Sequence, residues 1–226
     1  MIKAILTVIL FGLFLDRHGI HRGGSIALTA AHAILVFEAL DKGLTAIATV
    51  ALAQTLFYLA TGLWTVLAAS ALLASIPGVW MAATQAALDM ILGRGLEVTL
   101  YIEIYTRSLA ASLAAMYVLH TLNYSEAAYL AYKLGGCTAA YIPLLIPRMA
   151  SQGAAELLDS YASHRLKGAK HWETLALFML RVEEASSLAV DAYTLSSRLC
   201  RPRPVYRGAA VALQAAVIAV DLAATL

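Results

Sequence analysis

LTAIATVALAQTLFYLATGLWTVLAASALLASIPGVWMAATQAAL, residues 44–88, decides the fold class. Its 45 residues contain no Asp, Glu, Lys or Arg. A membrane-spanning helix needs about 20 apolar residues, so the stretch has room for two. A soluble core would not need so long an uncharged run. The apolar residues are continuous and rich in Ala and Leu, whereas a barrel strand alternates apolar and polar over about ten positions. Helices satisfy their own backbone in lipid. The expectation is an all-α, polytopic helical membrane protein.

The rest of the chain agrees. Its 226 residues are 61% hydrophobic and 13% charged, against about 25% charged in soluble domains. A net charge of +2 is too small to imply nucleic acid. The two cysteines, Cys137 and Cys200, form no Cys/His cluster, so neither zinc nor a disulfide framework is indicated. No cofactor is called for.

Working outward from residue 44, Asp41-Lys42-Gly43 is a break with a helix-ending glycine. Before it, Ser25 to Leu40 reads as one span. Ile2 to Leu15 reads as a short retained first span, since Asp16-Arg17-His18 follows with no small-x-small cleavage site. Within residues 44–88, Thr61-Gly62 and Ile76-Pro77-Gly78 are the punctuation. Pro-Gly is the stronger, so a loop or re-entrant turn is expected near Pro77. Gly93-Arg94-Gly95 marks the next turn, and Val98 to Leu122 the next span. Glu103 and Arg107 are spaced to pair on one face of it. His120 and six tyrosines (Tyr101, Tyr105, Tyr117, Tyr124, Tyr129, Tyr132) read as interfacial groups.

Beyond residue 122 the character changes. Arg148 to Arg207 holds 9 of the 16 Lys and Arg, interleaved with six acids. A short helix begins at Asn123 or Ser125, either of which could cap it, and stops at Gly135-Gly136. Pro143 and Pro147 interrupt the apolar run that follows. Two amphipathic helices are expected next, at about Arg148–Leu166 and His171–Leu199. In the second, Ala185, Leu188, Ala192, Leu195 and Leu199 form a packing seam, flanked by Glu184, Asp191 and Arg198 at sevenfold spacing. Arg201-Pro202-Arg203-Pro204 ends that helix, and Val205 to Leu226 is the last span. The organisation is membrane helices over 1–122, a short helix plus two amphipathic helices over 123–204, and a final span over 205–226. Five or six spans are expected in all. Lys and Arg near span ends favour the cytoplasm, so the basic region is expected there.

Several residue groups invite chemistry. Asp16, His18 and His21 have metal-like spacing, but a metal site needs more ligands in defined geometry, and a solvated loop is the simpler reading. Glu183-Glu184 has Leu188 where a Glu-Glu-x-x-x-Arg protease needs arginine. Arg165 and Arg198 stand at the ends of the amphipathic helices. Each could simply favour a helix dipole, or fix a contact through a bidentate guanidinium. No GxxxxGK[ST] phosphate loop is present, so any ATP chemistry must sit on a partner.

The order of elements resembles the transmembrane (T) component of energy-coupling factor importers, an ABC-type transporter family. Asn123-Tyr-Ser-Glu-Ala-Ala-Tyr-Leu-Ala-Tyr-Lys-Leu-Gly135 is similar to the family's short helix, and Tyr141-Ile-Pro143-Leu-Leu145 to its Phe-Ile/Leu-Pro-Leu-Leu. The family's Ala-Arg-Gly-type coupling triplets would correspond to His164-Arg165-Leu166 and Ser197-Arg198-Leu199. Leu166 and Leu199 stand where the family carries glycine or alanine. The resemblance implies a non-catalytic scaffold with cytoplasmic coupling helices. It would join two ABC-type ATPases to a small substrate-binding membrane subunit that takes up a vitamin or a metal ion. A stand-alone membrane enzyme or carrier using Asp89, Glu103, Arg107 and Asp221 is the alternative.

Overall fold

The computed structural model describes residues 8–9, 23–166 and 202–226. The described residues are helical, with no strand among them. Helices run in the order α1 (Ile26–Lys42), α2 (Leu44–Ala60), α3 (Trp64–Ile91), α4 (Val98–Thr121), α5 (Tyr124–Leu166) and α6 (Gly208–Thr225). Two of them, Trp64–Ile91 and Gly208–Thr225, are long and apolar enough to cross a membrane, and Leu44–Ala60 is a shorter apolar helix.

Glycines set the helix ends. Gly43 at φ 104°, Gly62 at φ 73° and Gly93 at φ 65° all lie in the region that favours a residue without Cβ. After α2, Leu63 N–H bonds Tyr58 O at 2.9 Å and Gly62 N–H bonds Leu59 O at 3.2 Å. After α3, Arg94 N–H bonds Asp89 O at 2.8 Å and Gly93 N–H bonds Met90 O at 3.3 Å. Both are Schellman endings, which satisfy carbonyls that a helix C-terminus leaves bare.

Pro77 does not break the chain, and the expected loop is absent: α3 runs through it. Proline removes one N–H from the helix ladder. Neighbouring helices make such a gap tolerable in an apolar bundle. Here α4 lies close beside the site. Ser108 Oγ donates to Ala74 O and Ser112 Oγ to Ser70 O, each at 2.9 Å. Ser70, Ala74 and Gly78 recur every four residues and let the two backbones approach. A Cβ at Gly78 would sit 3.0 Å from Tyr105 Cδ2 and 3.1 Å from Ser108 Cβ.

Two compact units divide the chain. One comprises Met1–Leu122 with Tyr206–Leu226, and the other Asn123–Val205. In the first, α2 and α4 pack on each other and on α1, with α3 and α6 also against α2. Ile47, Tyr58, Leu63, Leu113, Met116 and Tyr117 form the centre of its core. Tyr58 OH donates to Leu113 O at 2.8 Å, so a buried phenol is satisfied by a backbone carbonyl. Large apolar side chains also face outward, including Phe37, Trp80 and Ile91, each more than 70% exposed (73%, 74% and 79%).

In the second unit α5 begins at an Asn cap. Asn123 Oδ1 accepts from Ser125 N–H at 3.1 Å and Glu126 N–H at 3.3 Å, the second and third helical positions. Asn123, not Ser125, is thus the cap. Gly135 (φ −138°, ψ 16°) and Gly136 (φ 69°, ψ −160°) leave helical geometry and break α5 where the sequence predicts a stop. From there helix continues to Leu166 through Pro143 and Pro147, so the prolines do not delay the helix to Arg148 as expected.

Candidate functional site

The residues singled out from the sequence are only partly described. His164, Arg165 and Leu166 occupy the last turn of α5. Gly135 sits at the break in α5, and Pro143 within its second part. Glu184, Asp191, Ser197, Arg198 and Leu199 lie outside the described residues, as do Asp16, His18 and His21. The two proposed coupling triplets are therefore not seen together.

The four polar groups of the alternative reading have separate partners. Glu103 and Arg107 pair at 2.7 Å on a part-exposed face of α4, as their spacing predicts. Asp89, buried at the end of α3, accepts from Gln85 Nε2 at 3.1 Å and from Tyr101 OH at 3.0 Å. This ties the end of α3 to the start of α4. Asp221 lies elsewhere, in α6, where its carboxylate meets His32 of α1.

His32 and Asp221 define the buried polar centre of the first unit. Asp221 Oδ2 lies 2.6 Å from His32 Nδ1, and neither side chain is exposed at all. On the far side of the ring, Gln54 Nε2 of α2 lies 3.0 Å from His32 Nε2. Tyr117 of α4 covers the ring, with centroids 4.1 Å apart. Four helices thus enclose one imidazole.

The pair is part of a ladder along the α1–α6 seam. Arg207 N–H donates to Gly23 O at 2.8 Å. Gln214 Oε1 accepts from Ser25 N–H at 2.7 Å, and its Nε2 donates to Thr29 Oγ1 at 2.9 Å. Thr29 Oγ1 also lies 3.2 Å from Thr121 Oγ1 of α4. His32–Asp221 is the next rung, and Lys42 Nζ donates to Thr225 O at the far end. Rung numbers rise together on both helices, so α1 and α6 run parallel. Gly24 leaves room for this contact: a Cβ on it would meet the Gln214 amide, which would have to shift.

The chemistry open to this centre is limited. An Asp–His pair activates a nucleophile when a hydroxyl or thiol lies on the free ring nitrogen. Gln54 fills that place with an amide, so acyl transfer is not supported. Among the described residues no three His, Cys, Asp or Glu come together as metal ligands. What remains is a hydrogen-bonded, ionisable pair in an apolar interior.

Sequence reasoning missed this centre. Ser25, Thr29 and His32 recur at four and three residues in an otherwise apolar helix, and Gln214 and Asp221 lie seven apart in another. That periodicity was the available signal. Tyr117 and His120, expected at an interface, are instead buried in the bundle.

Comparison with known proteins adds no relative: no family model, no characterised protein and no solved structure matches the chain.

Proposed function

We propose that the chain is a non-catalytic, multi-pass coupling subunit of an energy-coupling-factor importer. On this reading the first unit lies in the cell membrane. The cytoplasmic amphipathic helices of 123–204 contact two ABC-type ATPases, and a small substrate-binding membrane subunit carries a vitamin or transition-metal ion. ATP-driven motion enters through Arg165 and Arg198, each in its proposed coupling triplet.

The observation that carries the proposal is α5. It starts at a capped Asn123, breaks at Gly135-Gly136 and ends on His164-Arg165-Leu166, the order of parts on which the family resemblance rests. A helix running about 1.5 Å per residue is a stiff lever, and a guanidinium at its end offers a directional contact. The outward-facing Phe37, Trp80 and Ile91 support a lipid-facing bundle, since soluble surfaces rarely expose large apolar patches. The excess of Lys and Arg after residue 148 supports a cytoplasmic placement.

The test is an affinity capture of the tagged protein from its native membrane, in wild-type form and as Arg165→Ala/Arg198→Ala. Wild type brings down ABC-type ATPases and one small, very apolar protein. The double variant reaches the membrane but loses the ATPases and uptake. A stand-alone carrier or enzyme is the second reading, favoured by the burial of Asp221. It takes over if the protein is captured alone, or if uptake survives the double variant and is lost in Glu103→Ala or Arg107→Ala.

A further inference from the structure

We propose that the turn joining α3 to α4 is a self-association surface, covered by the same turn of a second copy of this chain. Helix length is the first observation. Helices α1, α2 and α6 have 17, 17 and 18 residues, about 26 Å each at 1.5 Å per residue. Helix α3 has 28 and α4 has 24, about 42 and 36 Å. Leu63 N–H bonds Tyr58 O, so α3 sets out where α2 finishes. Thr29 meets Thr121, so α4 finishes near the start of α1. The surplus of α3 and α4 therefore projects past the other end of the bundle, roughly 10–15 Å beyond Lys42.

Side chains mark the level at which the projection begins. Asp41 and Lys42 close α1, and the Glu103–Arg107 pair stands at a similar height on α4, all outward or part-exposed. Charge on an outward face is costly within hydrocarbon. Trp80 of α3 is exposed near the same height, and exposed Trp64 lies 16 residues before it, about 24 Å away. Tryptophan gathers at the two faces of a bilayer core about 30 Å thick. The hydrocarbon accordingly ends near Trp80, and the turn stands outside it. Of the proposed function, only the membrane placement of this unit is needed.

Beyond that level the surface stays apolar. Leu88, Met90, Ile91, Leu92, Leu96 and Val98 are each 46–79% exposed. Ile91 faces outward as Phe37 and Trp80 do, but past the height at which lipid ends. Apolar patches of this size in water mark interaction sites. Charge selects the occupant. Asp89 is buried and held by Gln85 and Tyr101, so it offers nothing outward. The turn then presents one exposed cation, Arg94, and one exposed anion, Glu97. A two-fold contact sets residue i of one copy against j of the other, and j against i. Arg94 of each copy thus meets Glu97 of the other, and both pairs close at once. The six apolar side chains amount to roughly 600 Å² per copy. Two copies bring about 1,200 Å², the area at which specific interfaces begin.

Native mass spectrometry of the full chain in mild detergent tests this, with two charge reversals on exposed side chains that leave the core untouched. Wild type is expected as a dimer. Arg94→Glu alone and Glu97→Arg alone each set like charges together and should weaken self-association at least about tenfold. Mixed in equal amounts, the two variants restore both pairs and should form a heterodimer. In liposomes, Leu92→Cys with Cys137 and Cys200 replaced by serine should cross-link to twice the chain mass on mild oxidation. A monomeric wild type without that cross-link overturns the inference, whether a water-soluble maleimide reaches the Leu92→Cys thiol or lipid or another protein shields it. So do single variants that dimerise as wild type does, since that places the interface elsewhere. A chain recovered from cells without detergent overturns the membrane placement, and this inference with it.

Discussion

The α1–α6 seam and the α3–α4 hairpin join helices within one unit by opposite means. The seam uses specific polar side chains: Gln214 on the Ser25 N–H and the Thr29 hydroxyl, and Asp221 on His32. The hairpin uses small residues and serine hydroxyls on backbone carbonyls, with Gly78 at its tightest point. Their distance along the chain explains the difference. Helices α3 and α4 are joined by a short turn closed at Arg94 and Asp89, which fixes their register. His32 and Asp221 are 189 residues apart. No turn can set register over that distance, so it must be written in side-chain identity. Paired polar groups provide it because any slip leaves a buried group unmatched.

Unfolding titrations of variants in detergent break or sharpen this contrast. The largest effect is expected at His32→Ala, which strands the Asp221 carboxylate and should cost about 3–5 kcal/mol. The double change His32→Leu/Asp221→Leu should recover most of that loss, since apolar replacement of a whole buried pair is often neutral. If it does not, the pair contributes more than register. Next, Gln214→Leu leaves the Ser25 N–H without its acceptor, for about 1–3 kcal/mol. Gly78→Leu forces α3 and α4 apart at a similar cost of about 1–3 kcal/mol. A hairpin loss exceeding that of His32→Ala would invert the comparison. Ser108→Ala should cost only about 0.6 kcal/mol, the usual value for a polar contact between apolar helices. Glu103→Gln, on a part-exposed face, should change stability by about 0.3–0.5 kcal/mol, an amount that added salt reduces.

Turns were legible in the sequence wherever glycine had to adopt positive φ. Asp41-Lys42-Gly43, Thr61-Gly62, Gly93-Arg94-Gly95 and Gly135-Gly136 are all found as breaks. Proline misled the reading at Pro77, Pro143 and Pro147, each of which lies inside a continuous helix. At Pro77 the helix packed alongside makes the missing N–H tolerable, and the ladder continues around the gap. Glu103–Arg107 was readable because both members lie on one helix. The His32–Asp221 centre was not, because pairing across 189 residues depends on which helices become neighbours. Polar spacing in α1 marked a face but not its partner. Tyr117 and His120 were misplaced for a related reason. Amphipathic side chains serve equally at a lipid boundary and in a core, and only the packing of α1, α2 and α3 around α4 decides.

One small feature bears on how such a molecule can change over evolutionary time. Asn123 Nδ2 donates to Val205 O and Ser125 Oγ accepts from Val205 N–H, each at 2.9 Å. The unit between them therefore starts and finishes at a single stitch. Length can be added or removed inside such a loop without altering the separation of its ends. The intervening segment can change in length without parting the two ends that the stitch holds together.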